Sequence, residues 1–154
     1  MAPLFVMIFG WVGFRLMGAL GMLPAGATWS GALRYAMAAM FIFTAVSHFH
    51  PRTRPDLVRM VPPILPLPGL LVTFTGIVEL IGALGLLIPP LVPLAAVVLS
   101  GLLILMFPAN IYASVHNLTI GGRPATPLAL RLPLQLFWIG ALWWIARAEG
   151  AGVT

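Results

Sequence analysis

A single carboxylate interrupts the apolar segment 72–85, VTFTGIVELIGALG. On a helix with about 3.6 residues per turn, Glu79 shares one half of the surface with small residues, which are Thr75, Gly76, Gly82 and Ala83. Small residues let a second helix approach closely, so we expect Glu79 to face the interior of a helical bundle. There its carboxyl group must be protonated or paired, because an isolated ionised carboxylate is costly in an apolar medium.

Arg15 is the first candidate partner for this carboxylate. It lies about midway along the first apolar segment, and Glu79 about midway along the third, so the two side chains are expected at the same depth. We therefore predict an Arg15–Glu79 ion pair. Two roles stay open for it. Buried pairs often define geometry without adding net stability, whereas an acid inside a membrane is by default a functional candidate.

A second polar cluster is predicted nearer one membrane face. His48 ends the second apolar segment, with Thr44 beside it on the helix. Asn110 and Ser114 share a face of the fourth segment at i and i+4. Gln135 lies near the start of the fifth apolar segment. Because successive helices alternate in direction, His48, Asn110 and Gln135 are expected to converge at the same side, above a deeper Glu79.

Each of these residues also has a purely structural interpretation. His48 at a helix end can meet water, where it titrates near neutral pH. Asn110 can bond across helices, and its amide is expected to satisfy the backbone carbonyl that Pro108 leaves free. Gln135 and Trp138, which share a face with Arg131, are then packing residues. The histidines and Glu79 show no ligand pair at helical spacing, so we predict no metal site.

The composition indicates the solvent that surrounds these groups. The chain has 154 residues, of which 61% are hydrophobic and only 7% charged, whereas about a quarter of a typical soluble domain is charged. Such a chain is a small integral membrane protein. The net charge of +5 comes from scattered arginines, which argues against nucleic acid. The absence of cysteine excludes thiol catalysis, disulfide relay, cysteine-ligated zinc and iron–sulfur clusters.

Five stretches are long enough to cross a hydrocarbon layer of about 30 Å, which takes roughly 20 helical residues. They cover approximately 3–23, 29–49, 69–88, 91–114 and 128–147. The first is predicted to be a retained helix rather than a signal peptide, because it lacks a basic start and Arg15 interrupts it. The fold is thus predicted to be all-α, a polytopic transmembrane helical bundle in a single membrane domain over 1–154.

The proline-rich segment 50–68 is predicted to lie at the membrane interface. Its prolines exclude a regular helix after about residue 61, so a short amphipathic piece around 54–61 precedes an extended part. Two roles are open, a plain connector or a lid over the mouth of the bundle. Five arginines flank this segment and the loop 115–127, and the positive-inside rule places both long loops in the cytoplasm. The composition is typical of a bacterial cytoplasmic membrane protein.

Four short motifs together resemble the DoxX-like family of small integral membrane proteins. They are SHFHP, RMVPPILP, TGIVELIGALGLLIP and FPANIY, and they follow one another in the family's order over about residues 30–147. The resemblance implies a four-helix core, with the first helix as an extra N-terminal element. It also implies His48, Glu79 and Asn110 as the motif positions. The family includes a subunit of a thiosulfate:quinone oxidoreductase, and distant animal relatives assist receptor assembly.

Two functions of different classes follow from these observations. In the first, the bundle binds a quinone or another small lipophilic molecule in a redox-linked role, as a subunit of a membrane oxidoreductase. Glu79 and His48 then handle protons, and the ligand-binding set is Asn110, Arg15, Thr75, Ser114, Gln135 and Trp138. In the second, the chain is an accessory or assembly factor, which packs against another membrane protein or itself, and the polar core is structural. A solute carrier is disfavoured, because no internal repeat is visible.

Overall fold

The computed structural model describes residues 2–150, and it forms an all-α helical bundle. The helices are α1 (Ala2–Ala19), α2 (Trp29–Phe49), α3 (Arg54–Met60), α4 (Pro68–Gly85), α5 (Val92–Leu105), α6 (Phe107–Val115) and α7 (Leu128–Gly150). Two short strands, β1 (Thr119–Ile120) and β2 (Arg123–Pro124), pair antiparallel between α6 and α7. The turn of this hairpin uses Gly121 and Gly122, whose φ angles of 59° and 78° favour glycine.

Within the described residues, five helices are long and apolar enough to cross a membrane. They are α1, α2, α4, the span Pro89–Val115 that contains α5 and α6, and α7. Their outward faces carry large apolar side chains, such as Phe9, Leu94 and Leu105. Such faces suit contact with acyl chains, and the prediction of five membrane-length segments is confirmed.

The first helix ends earlier than predicted. The sequence pattern placed its end near residue 23, but α1 ends at Ala19. Gly21 then adopts a φ of 74°, and Pro24 begins a short 3₁₀ turn. Glycine in this left-handed conformation is a common way to end a helix, because it has no Cβ to clash.

Helix α2 is the central element of the bundle. Just over half of its membrane-length window is buried, compared with about a tenth for α1. It packs against α1, α4 and α7, and α5 packs against both α4 and α7. The apolar core lies between these helices and includes Met37, Phe41, Leu99 and Leu142. The result is a four-helix core of α2, α4, α5–α6 and α7, with α1 laid on the outside of α2.

The fourth span is broken rather than continuous. Helix α5 ends at Leu105 and α6 begins at Phe107, because Pro108 has no N–H to donate to the preceding turn. The side chain of Gln135 compensates, and its Nε2 donates to the carbonyl oxygen of Leu103 at 3.0 Å. Asn110 was predicted to satisfy a carbonyl at this break. The structure gives this role at Leu103 to Gln135, while the Asn110 Oδ1 accepts from Nη1 of Arg131.

Helix α3 covers one end of the bundle. Its first residue, Arg54, donates from Nη1 to the carbonyl of His48 at 2.9 Å and from Nη2 to the hydroxyl of Thr73 at 2.9 Å. Asp56 accepts the backbone N–H of Gly121 in the hairpin at 2.8 Å. Met60 at the end of α3 is buried. The predicted amphipathic piece is confirmed, and its placement agrees with the lid alternative.

Helices α2 and α4 approach most closely at Gly76. A Cβ added there would lie 2.6 Å from the Cβ of His48, closer than real Cβ contacts. By contrast, a Cβ added at Gly101 of α5 meets nothing within 4 Å. The glycine at position 76 is therefore the element that lets α4 reach the polar end of α2.

The substitution Gly76→Ala should lower the free energy of unfolding by about 1–3 kcal/mol, because an added methyl group must displace a packed neighbour. Gly101→Ala is the matched control, and it should leave stability unchanged or raise it slightly, since alanine favours the helix. Thermal unfolding of the detergent-purified proteins measures both effects. Equal melting temperatures for the two variants would contradict this account of the α2–α4 contact.

Candidate functional site

Glu79 of α4 is buried, with 5% of its surface exposed, and it meets two side chains of α2. Thr44 donates its hydroxyl hydrogen to Oε1 of Glu79 at 2.6 Å. The Nε2 atom of His48 lies 3.3 Å from Oε2 of the same carboxyl group. Because residues four apart on a helix share a face, Thr44 and His48 approach Glu79 together. The carboxyl group is therefore hydrogen-bonded at Oε1, and at Oε2 it has the imidazole at ion-pair distance without a further hydrogen bond in the described residues.

The backbone of α4 determines which nitrogen of His48 carries hydrogen. Nδ1 lies 2.9 Å from the carbonyl oxygen of Val72, which can only accept, so Nδ1 must be protonated. Thr75 lies 3.3 Å from the same nitrogen, and its hydroxyl donates within its own helix. Nε2 and Oε2 of Glu79 would then repel each other unless one of them also holds a proton. Hydrogens on both atoms would also face each other, so the two side chains share one proton between them.

A second polar group comes from α6 and α7. Arg131 donates from Nη1 to Oδ1 of Asn110, while its Nε is buried without a hydrogen-bond partner in the described chain. One turn further along α7, Gln135 bonds to the break in the fourth span. Trp138 follows on the same face, and its Nε1 is also buried without a partner there. The α6–α7 polar group therefore contains two N–H donors without partners, Nε of Arg131 and Nε1 of Trp138.

The two polar groups line a common cavity of about 250 Å³. Thr44, His48 and Glu79 line it from α2 and α4, and the α6–α7 contribution is Asn110, Arg131, Gln135 and Trp138. The apolar part of the lining includes Leu57 and Met60 of α3, Leu103, Met106 and Leu134. Small-molecule sites are typically of this kind, mostly apolar with a few placed polar groups.

The predicted convergence of polar residues is what the structure shows. His48, Asn110 and Gln135 line one cavity together with Glu79, although they come from four different helices. Trp138 also lines it.

Three other predicted residues lie elsewhere. Thr75 sits behind the ring of His48 and not in the cavity lining. The hydroxyl oxygen of Ser114 accepts the backbone N–H of Leu128 at 3.2 Å, so it caps the start of α7. Arg15 is also not among the lining residues.

The predicted Arg15–Glu79 ion pair is wrong. Arg15 lies over the ring of Trp29, with its guanidinium carbon 5.1 Å from the ring centre. Pro3 and Leu4 at the start of α1 line the cavity, whereas Arg15 is near the opposite end of that helix. The predicted depth assumed a first helix ending near residue 23, and the earlier end of α1 moves Arg15 away from mid-height. A cation over an aromatic face is a favourable alternative to an ion pair.

Sequence reasoning gave no site role to three residues that contribute. Thr44 bonds to Glu79, Arg131 bonds to Asn110, and Arg54 anchors the helix that covers the cavity. Each had a signal in the sequence. Thr44 precedes His48 by one helical turn, and Arg131 precedes Gln135 by one turn. Arg131 was placed on the face of Gln135 and Trp138 without a site role, and Arg54 was interpreted only as a loop charge that sets orientation, which obscured its inward contacts.

Among the described residues, no group of three or more histidine, cysteine, aspartate or glutamate side chains is placed to hold a metal ion. What the arrangement offers is proton exchange at the His48–Glu79 pair and hydrogen-bond donation from Arg131 and Trp138. A molecule with oxygen atoms at two ends and an apolar body between them matches these groups.

The fold and the site together define a small all-α protein of membrane-spanning dimensions with a polar interior cavity. The chain belongs to the family described as a domain of unknown function (DUF8561), whose model matches residues 37–146. No curated protein and no solved structure matches the chain. The matched segment contains every polar residue of the cavity and leaves out α1, which contributes the apolar lining residues Pro3 and Leu4.

The substitution Thr44→Val should destabilise the fold by about 1–3 kcal/mol, because it leaves Oε1 of the buried Glu79 without its hydrogen bond. Valine has nearly the same shape, so the loss reports the hydroxyl group and not the packing. Chemical unfolding in detergent measures it, with Thr119→Val at the exposed hairpin as control. If the two variants were equally stable, the Thr44–Glu79 bond would have no energetic role.

Proposed function

We propose that the cavity binds a small lipophilic molecule with hydrogen-bonding oxygens, and that a quinone in a redox-linked role is the class it fits best. The observation that supports this most is the placement of a proton-sharing His48–Glu79 pair in the same cavity as Arg131 and Trp138, whose N–H groups Nε and Nε1 lack partners in the described residues. Buried polar groups are normally satisfied, so two donors without partners on residues that line one cavity support a ligand there.

The chemistry of a quinone corresponds to this arrangement. A quinone carries two carbonyl oxygens at opposite ends of a flat ring. Arg131 or Trp138 supplies a donor for one carbonyl, and the His48–Glu79 pair supplies a donor for the other. Leu57, Met60 and the other apolar lining residues enclose the ring. Conversion to the quinol adds two electrons and two protons, and the pair is the group in the cavity that can pass protons.

The electrons must come from another protein, and the chain therefore acts as a quinone-binding subunit of a membrane oxidoreductase. The resemblance to DoxX-like proteins supports this role, because that family includes a subunit of a thiosulfate:quinone oxidoreductase. The same resemblance and the arginine distribution support a bacterial cytoplasmic membrane, with α3 and the hairpin on the cytoplasmic side. Quinones dissolve in the bilayer, so a site enclosed by membrane helices is accessible to them without passage through water.

The test is calorimetric titration of a quinone without a prenyl tail, 2,3-dimethoxy-5-methyl-1,4-benzoquinone, into the detergent-purified protein. Trp138→Phe removes one donor and keeps an aromatic ring, so binding should weaken roughly two- to tenfold, the worth of one neutral hydrogen bond. Trp143→Phe on the exposed face of α7 is the matched control and should bind as the wild type does. Absence of saturable binding by the wild type would exclude the proposal.

Glu79→Gln separates this function from the alternative of an accessory or assembly factor with a structural polar core. For a ligand site, the variant should fold and should bind the quinone more weakly, because the proton-sharing pair is lost. For a structural core, the wild type should bind no quinone, and Glu79→Gln should unfold. Recovery of a stoichiometric membrane partner with the wild type would then favour the assembly role. Asp56→Asn serves as the control in both cases, because it removes an acid outside the cavity lining and keeps a side-chain oxygen that can accept the N–H of Gly121.

A further inference from the structure

The chain has few acidic side chains, and each of them contacts a basic residue other than Arg131. The sequence has 8 basic side chains and 3 acidic ones, all three within the described residues. Asp56 lies 3.5 Å from Arg59, Glu149 lies 3.2 Å from Arg34, and Glu79 meets the imidazole of His48. No acidic side chain is left to neutralise a cation on α7 beside the cavity.

Arg131 is such a cation. Its one side-chain partner in the described chain is Asn110, which is neutral, and its Nε is buried without a hydrogen-bond partner. Taking a guanidinium out of water is costly unless an anion or strong acceptor compensates it. The hydrogen bond to the neutral amide of Asn110 satisfies one N–H group of Arg131, but it does not compensate the positive charge of the guanidinium.

The net charge of the cavity follows from the proton shared by His48 and Glu79. An imidazolium beside a carboxylate and a neutral imidazole beside a carboxylic acid have the same total charge, which is zero. The remaining lining residues are uncharged except for Arg131. The cavity therefore carries one net positive charge within a mostly apolar lining, and this favours an occupant with one negative charge.

We propose that the occupant is a lipophilic oxyanion, a weak organic acid bound in its ionised form with its charged oxygen against Arg131. This inference rests on the proposed function and names the class of molecule within it. A quinone that bears an ionised ring hydroxyl group is both a quinone and a lipophilic oxyanion. The planar guanidinium suits an oxygen anion because its N–H groups form a fixed fork.

Two naphthoquinones of nearly equal size test the proposal. 2-Hydroxy-1,4-naphthoquinone is ionised at neutral pH, and 2-methyl-1,4-naphthoquinone is neutral. Calorimetric titration into the wild-type protein should show the hydroxy compound binding roughly ten- to hundredfold more tightly, the worth of a hydrogen-bonded charge. In Arg131→Gln this advantage should disappear, while the neutral compound should bind nearly as before. Arg123→Gln, in the exposed hairpin at the same end of the bundle, should retain the full advantage.

The outcomes separate the two proposals. Equal binding of both compounds by the wild type would overturn the oxyanion inference and leave a neutral quinone site in place. Binding of neither would overturn both. The wild-type ratio is decisive even if Arg131→Gln does not fold, since it needs no variant. Displacement of the hydroxy compound by phosphatidylglycerol but not by phosphatidylcholine would assign Arg131 to an anionic lipid headgroup, and would also overturn the inference.

Discussion

A carboxyl group in the middle of an apolar helix must find partners, and the structure around Glu79 is organised by that requirement. Thr44 and His48 reach it from one face of α2, and His48 is held in place by the carbonyl of Val72. These contacts need α2 and α4 to lie very close, which the absence of a side chain at Gly76 permits. The pairing of a buried acid and the close approach of two helices are therefore a single structural feature.

The other side of the cavity results from a defect in a helix. Pro108 breaks the fourth span, and the amide of Gln135 satisfies a carbonyl next to the break. This contact ties α7 to the end of α5 and brings Arg131 and Trp138, one turn before and after Gln135, to the same cavity. The break and its amide partner thus position the unused donors that the proposed function depends on.

The cover over the cavity depends on backbone contacts at the ends of helices. Arg54 joins the start of α3 to the end of α2 and the start of α4, and Asp56 joins α3 to the hairpin before α7. Because these bonds connect loops on one side of the bundle, α3 is held over the polar residues rather than spread across the surface. Leu57 and Met60 then close this side with apolar atoms.

The sequence by itself determined the all-α class, the five membrane-length helices, the amphipathic piece at 54–60 and the convergence of Glu79, His48, Asn110 and Gln135. These follow from hydropathy, proline placement and helical spacing, which are local properties. Only the tertiary structure decided that Glu79 pairs with His48 rather than Arg15, and that Asn110 serves Arg131 while Gln135 serves the helix break. Which polar groups meet depends on helix ends and relative heights, and a shift of one turn moves a side chain by about 5 Å. That distance is longer than a hydrogen bond, so partners inside a bundle are settled by packing and not by sequence spacing.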